Sequence, residues 1–326
     1  MKKGIAVLLA AMLVFSLAAC NAETDNGNGG ETAKKYTVGV CQLTPHVALD
    51  AATEGFVAAL KDELGEENVD IDVQVAAGDT ASCAPIVNTF VSNGVDLIMA
   101  NATPALQAAA AATSDIPILG TSVTEYGVAL DIKDFDGTVG TNVSGTSDLA
   151  PLDQQANIIT EWFPAAKTVG LLYCSAEANS QYQVDVVKKA LEEKGLTAAL
   201  YPFADSNDLQ AITQEAASNS DVIYVPTDNT VASAAGTVDG VCRAAKVPVV
   251  TGEEGICKGC GVATLSISYY DLGYTTGKMA AKILRGEADI STMPIAYSEK
   301  FTPKYNEEVC AELGLTVPEG YTPIGD

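Results

Sequence analysis

The sequence predicts an α/β protein made of two doubly wound parallel-sheet lobes, on three observations. The chain has 326 residues, enough for about two domains at roughly 100 to 200 residues each. From Tyr36 onward short apolar strands alternate with amphipathic helices, the rhythm of parallel sheets joined by crossover helices. That rhythm starts over near the middle, with one set of elements finished by about residue 142 and a second beginning at Ala150.

The first set opens with a strand over Thr37–Cys41, a helix from about Leu49 to Leu64 and a strand over Asp70–Ala76. A helix Ala84–Asn93, a strand Leu97–Ala100, a helix Pro104–Thr113 and a strand Ile116–Gly120 complete it. The second set runs as helix Ala150–Trp162, strand Thr168–Tyr173, helix Ser180–Lys194, strand Thr197–Pro202, helix Leu209–Ser218 and strand Val222–Val225. A helix Thr230–Ala245 and a strand Pro248–Thr251 follow. The two sets share one plan without obvious sequence identity.

Composition narrows the function. Lys and Arg number 18 against 42 Asp and Glu, a net charge of −24, and 48% of residues are hydrophobic. A chain so apolar is not disordered, and one so acidic does not bind nucleic acid by phosphate neutralisation.

The N-terminus carries an export pattern. Lys2 and Lys3 precede an apolar run from Ile5 to Leu17, then small residues and Cys20, the order of a signal peptide. The run is shorter than the roughly 20 apolar residues a membrane span needs. Leu17-Ala18-Ala19-Cys20 resembles the bacterial lipobox, which implies cleavage before Cys20 and a diacylglycerol on its sulfur. Residues 1–19 are then the leader, and residues 20–35, rich in Asn, Gly, Glu and Thr, are a flexible tether. The expected location is extracytoplasmic, at the bacterial cell membrane.

In doubly wound sheets ligands sit at the carboxyl ends of the strands. Here those ends read Gln42-Leu43-Thr44-Pro45-His46, Gly78-Asp79, Asn101-Ala102-Thr103-Pro104, Thr121-Ser122-Val123-Thr124, Ser175 to Ser180, Pro226-Thr227-Asp228-Asn229 and Gly252-Glu253-Glu254. They are small, polar and hydroxyl-rich. Any one of them can be helix capping alone, but seven in two halves point to a cleft. Enzyme motifs are missing: there is no phosphate-binding Gly-x-x-x-x-Gly-Lys-Ser/Thr loop, no Gly-x-Ser-x-Gly elbow, and a single histidine cannot supply a two-histidine zinc site. No cofactor or metal is expected. Of eight cysteines, setting Cys20 aside leaves an odd number. Cys257-Lys258-Gly259-Cys260 fits a local disulfide, buried thiols, pairing of one member with Cys242, or metal and redox work.

Several stretches together resemble a known family. Val40-Cys41-Gln42 leading to His46-Val47-Ala48-Leu49-Asp50, Ala100 to Ala105, Ser175 to Ser180, Pro226 to Thr230 and Tyr269-Tyr270-Asp271-Leu272-Gly273 are similar to the extracytoplasmic substrate-binding lipoproteins of ABC transporters that include tryptophan- and tyrosine-binding members. The likeness runs from about Tyr36 to Ile324. It departs at Val47, where many members have Pro, and at Ala76-Ala77-Gly78-Asp79, where many have Asn-Ala-Gln-Gly-Asp. Both departures touch the first-lobe wall.

The resemblance implies a type I periplasmic-binding-protein fold with a three-segment hinge near Asn142, Ser266 and Met293. Lobe 1 would then hold residues 36–142 and 267–292, with a helix Leu272–Leu284, and lobe 2 residues 143–266 and 293–326. It implies a monomer that binds an amino acid, aromatic in type, and delivers it to an ABC permease driven by a separate ATPase. A sugar, nucleoside or peptide-like ligand, or a sensor signalling to a membrane receptor, are the alternatives. In the cleft, Ser175, Asn179 and Ser180 at a helix start suit the ligand carboxylate. Asp228, helped by Glu177 or Glu253, suits its ammonium. Thr227 and Asn229 flank Asp228. His46 and Leu49 at the mouth, with Gln42, Thr44, Asp79, Asn101, Thr103, Thr121 and Thr124, form the first-lobe wall, and Tyr269 beside the hinge closes over the ligand.

Overall fold

A computed structural model describes residues 35–325. The leader, Cys20 and all of the expected tether except Lys35 lie outside the described residues. Lobe 1 begins with β1 (Tyr36–Gln42), α1 (Val47–Leu64), β2 (Val69–Val75), α2 (Thr80–Asn93), β3 (Leu97–Asn101), α3 (Thr103–Ala112), β4 (Ile118–Val123), α4 (Tyr126–Ala129) and β5 (Val143–Ser147). Lobe 2 follows with α5 (Leu152–Trp162), β6 (Thr168–Cys174), α6 (Ala178–Glu193), β7 (Thr197–Phe203), α7 (Leu209–Asn219), β8 (Val222–Val225), α8 (Asn229–Ser233), α9 (Ala235–Ala245), β9 (Val249–Thr251), α10 (Glu254–Cys260) and β10 (Ala263–Ser266). The chain returns to lobe 1 through α11 (Tyr269–Leu284) and β11 (Ala296–Tyr297), then ends in lobe 2 with β12 (Thr302–Tyr305), α12 (Glu307–Leu313) and β13 (Thr322–Pro323).

Two sheets result. The first has the order β11-β5-β4-β3-β1-β2, parallel throughout, and the second β13-β12-β10-β9-β8-β6-β7. In the second, β12 runs antiparallel to β10. Every residue of β3, β4, β8 and β10 is buried, as sheets covered by helices on both faces require.

Three departures from the expected elements have physical causes. The first crossing falls after Ser147, not near Asn142, because the buried strand β5 pairs with β4 in the first sheet. The third falls after Tyr297, not near Met293, because β11 pairs with β5. The single helix expected over Thr230–Ala245 is broken at Ala234, whose φ of −132° is not helical. Between the first and third crossings, β10 of the second sheet ends at Ser266 and α11 begins at Tyr269.

The returning helix α11 is held to lobe 1 by close backbone contact with α1. A methyl at Gly273 would collide with the Ala52 carbonyl, and one at Gly55 with the Tyr270 carbonyl. Only glycine lets the two helices approach so far. All seven described cysteines, Cys242, Cys257 and Cys260 included, are buried free thiols. Cys257 and Cys260 lie one helical turn apart on α10, and Cys260 donates to the Ile256 carbonyl instead of pairing.

Candidate functional site

Strand tips from both lobes converge on one small cavity between them. From lobe 1 come His46, Leu49, Ser122 and Thr124; from the hinge Asp148 and Tyr269; from lobe 2 Asn179, Thr227, Asp228, Asn229, Ala232 and Glu253. The register of β4 against β5 shifts between Gly120 and Val123, and Ser122 sits in that irregularity with a left-handed φ of 53°. A bulge of this kind re-aims a side chain, and here it turns the Ser122 hydroxyl to the cavity. The cavity volume is about 10 Å³, room for about one water, so a ligand the size of an amino acid enters only when the lobes part.

The carboxylates here are unusual in number and in pairing. Asp148 is 5% exposed; its Oδ2 accepts a 2.9 Å hydrogen bond from the Tyr269 hydroxyl, while its Oδ1 has no partner. Asn179 Oδ1 and Ser122 Oγ are likewise buried and unpartnered. Asp228 accepts from the backbone N–H groups of Cys174 at 2.7 Å and Val231 at 2.9 Å. Burial, followed by the nearby charge of Glu177, still pushes its carboxyl up to about 7. Glu253 caps α10 by accepting from Gly255 and Ile256, and burial lifts it to about 7. Burial also raises Asp148. No Lys or Arg lines the cavity. Burial lowers the pKa of His46, so its imidazole is held neutral. Three buried acidic groups with no cation beside them form a site for a positive charge.

Other predicted residues build the walls rather than face the cavity. Gln42 donates to Asp50 at 2.6 Å and to the Thr44 carbonyl at 2.9 Å, and accepts from Thr53 at 2.6 Å. Asn101 donates to the Leu49 carbonyl and to Thr53. Thr121 shares a hydroxyl contact with Thr146, which in turn meets Thr276 of α11. Thr103 is buried at the start of α3. Glu177 accepts from the backbone N–H groups of Asn229 and Thr230 and from both their side chains, so it caps α8 from across the loop. Ser180 is fully buried in the first turn of α6. Asp79 is exposed and caps α2, and Ser175 is an exposed residue bonded to the Phe203 carbonyl.

Two contacts bridge the lobes at the cavity mouth: Thr44 Oγ1 to Ser233 Oγ at 3.1 Å and His46 Nε2 to Asn229 Oδ1 at 3.4 Å. Sequence reasoning missed Asp148 and Ala232, and gave Ser122, within the strand end Thr121–Thr124, no role of its own. Asp148 directly follows a strand, the signal used at the other tips, but that strand reads Val-Ser-Gly-Thr-Ser. A larger groove of about 850 Å³ lies along the hinge. Within it Glu254 is bonded to Lys304 and Ser266.

The family model described as ABC transporter substrate binding protein matches residues 37–322. The chain belongs to the ABC transporter substrate-binding proteins. A tyrosine-binding protein of Clostridioides difficile is 31% identical to it over 322 residues, covering 96% of this chain and 93% of the relative. A solved ABC domain from Streptococcus pneumonia in complex with L-Trp is 33% identical, with a TM-score of 0.85 over 89% of this chain and 100% of that one. A ligand-free, open substrate-binding protein with adhesive properties from Clostridium difficile is 38% identical, over 89% and 99%, with a TM-score of 0.68. The substrate-binding protein superposes better on the tryptophan complex than on the ligand-free protein, even though the latter is nearer in sequence. The bridging contacts across the mouth agree with a closed conformation. As a substrate-binding protein it is a non-enzymatic binder, and its family works outside the cytoplasm.

Proposed function

We propose that this substrate-binding protein captures a single aromatic amino acid, tryptophan, tyrosine or phenylalanine, between its lobes and hands it to an ABC permease served by a separate ATPase. The observation that carries the proposal is the set of unpartnered buried acceptors, Asp148 Oδ1 and Asn179 Oδ1 with Ser122 Oγ, in a cavity that holds acids and no fixed cation. An α-ammonium supplies the missing donors, since a charged donor bonds an ionised acceptor about twice as strongly as neutral groups bond each other. Asp228 and Glu253 add negative potential, while their bonds to backbone N–H groups hold them in place. The ligand side chain lies toward His46, Leu49 and Ala232, and its carboxylate meets the hydroxyl and amide donors of Thr124, Thr227 and Asn229.

The names of the tyrosine-binding relative and the tryptophan complex support the aromatic class. A sugar fits less well, because the sole tryptophan, Trp162, packs edge-on against Tyr321 with ring centroids 5.1 Å apart, away from the cavity. Attachment to the membrane through lipidated Cys20 and a monomeric state complete the proposal. The test is thermal unfolding of protein stripped of ligand by denaturation and refolding, against each of the twenty amino acids, ribose, galactose and adenosine. A ligand at 100 times its dissociation constant stabilises by about 2.7 kcal/mol. A shift with tryptophan, tyrosine or phenylalanine alone is expected; a shift only with a sugar or a nucleoside overturns the proposal.

A further inference from the structure

We propose that Cys41 and Cys83, both free thiols in this structure, oxidise to a disulfide that ties α2 to β1 directly beneath the first-lobe wall of the cleft. Cys41 is the next-to-last residue of β1 and leads into Gln42, which organises that wall. Cys83 lies in the first turn of α2. Both are fully buried and belong to one packed cluster with Val87 and Phe90.

The two faces that carry these thiols are pressed together. The Phe90 ring covers Gly39 so closely that any Cβ there would overlap it. Cys41, two residues on, shares that face of β1, and Cys83, Val87 and Phe90 share one face of α2 at helical spacing. Cys41 and Cys83 thus face each other across the contact between β1 and α2 within one buried cluster, and the proximity of the two thiols draws the Cys83 pKa down and pushes that of Cys41 up. Three other described thiols, Cys174, Cys260 and Cys310, instead donate to backbone carbonyls. A family that works outside the cytoplasm meets the compartment in which disulfides persist.

The oxidant is a disulfide of a small thiol or of an exported dithiol protein, and the reaction is thiol exchange. Because both sulfurs are buried, exchange proceeds while the first turn of α2 is open, during folding or local opening. The Cys83 thiolate attacks one sulfur of the oxidant and releases the first thiolate, which takes up the proton Cys83 lost. The Cys41 thiolate then attacks the Cys83 sulfur, forms the protein disulfide and releases the second thiolate, which takes up the proton of Cys41. Two protein hydrogens are lost and one oxidant disulfide is reduced to two thiols.

The test is refolding of the full chain in oxidised and reduced glutathione, followed by alkylation in denaturant and peptide mass mapping. The expected result is a linked peptide pair holding Cys41 and Cys83 that separates on reduction. Oxidised protein also melts above reduced protein, and that difference vanishes in Cys83→Ser. Alkyl groups on both cysteines after oxidative refolding, or a melting difference that persists in Cys83→Ser, overturn the proposal. The outcome does not depend on which ligand the cleft takes.

Discussion

Replacing Asp148 by asparagine separates ligand recognition from fold maintenance. The Tyr269 hydroxyl, which donates to Asp148 Oδ2 at 2.9 Å, retains an acceptor in the amide oxygen. The unpartnered Oδ1 is replaced by an NH₂ group, which presents donors to the ligand ammonium where an acceptor stood. Hydrogen bonds to charged groups are worth about 1.5–3 kcal/mol, and about 1.4 kcal/mol is tenfold in affinity. Asp148→Asn therefore weakens binding of the zwitterion by about 10- to 150-fold. The ligand-free protein moves the other way: a buried acid whose pKa burial already raises gives way to a neutral group of the same shape, and the melting temperature holds or rises. Titration calorimetry with L-tryptophan and L-tyrosine, beside thermal unfolding without ligand, reads both. An affinity within about twofold of the parent would sink the ammonium assignment. Parallel losses of affinity and of ligand-free stability would mean that Asp148 acts on the fold alone.

Four further outcomes are expected. Asp228 and Glu253, both held up to about 7, must be ionised to attract an ammonium, so affinity is greatest above pH 7 and falls toward pH 5; calorimetry in buffers of different ionisation enthalpy should show proton release near neutrality. The same two raised carboxyls bind protons in the fold that the unfolded chain has already lost, so ligand-free stability falls as pH rises from about 4 to about 7, which urea unfolding at several pH values measures. Gly273→Ala drives a methyl into the Ala52 carbonyl and destabilises by about 1–3 kcal/mol as overpacking does; a denaturation midpoint unchanged from the parent would mean that α1 and α11 are not locked. Ser233→Ala removes the partner of Thr44 and shifts the lobes toward the open form by about 0.5–1.5 kcal/mol, which small-angle scattering of the ligand-free protein detects as a larger radius of gyration.

The alternation of strand and helix was legible because each buried strand is a short apolar run and each helix has a periodic face. The strand tips were legible for the same reason, and His46, Asn179, Thr227, Asp228 and Tyr269 do meet at the cavity. What stayed hidden depends on contacts far apart in the chain. Val143–Ser147 carries almost no bulky side chain and reads as a loop, yet it is buried because its Thr146 hydroxyl bridges those of Thr121 and Thr276; Asp148 was lost with it. Glu177 looked like a ligand group in its own loop, but its partners, Asn229 and Thr230, lie more than fifty residues onward. Asp79 sits at a strand tip like the others, but β2 is the edge of the first sheet, and its tip caps a helix outside the cleft.

The glycine-lined seam between α1 and α11 also sets a timetable for biogenesis. Its two sides are separated by most of lobe 2, so the apolar face of α1 that carries Phe56 and Leu60, already packed with Val40, Leu97 and Met99 of the sheet, gains its last partners only when Ala280 and Ala281 arrive. Loop closure over such a separation is slow. Lobe 1 is thus a late-folding unit, dependent on almost the last part of the chain to leave the ribosome. A chain truncated after β10 would leave lobe 1 with an exposed, aggregation-prone flank.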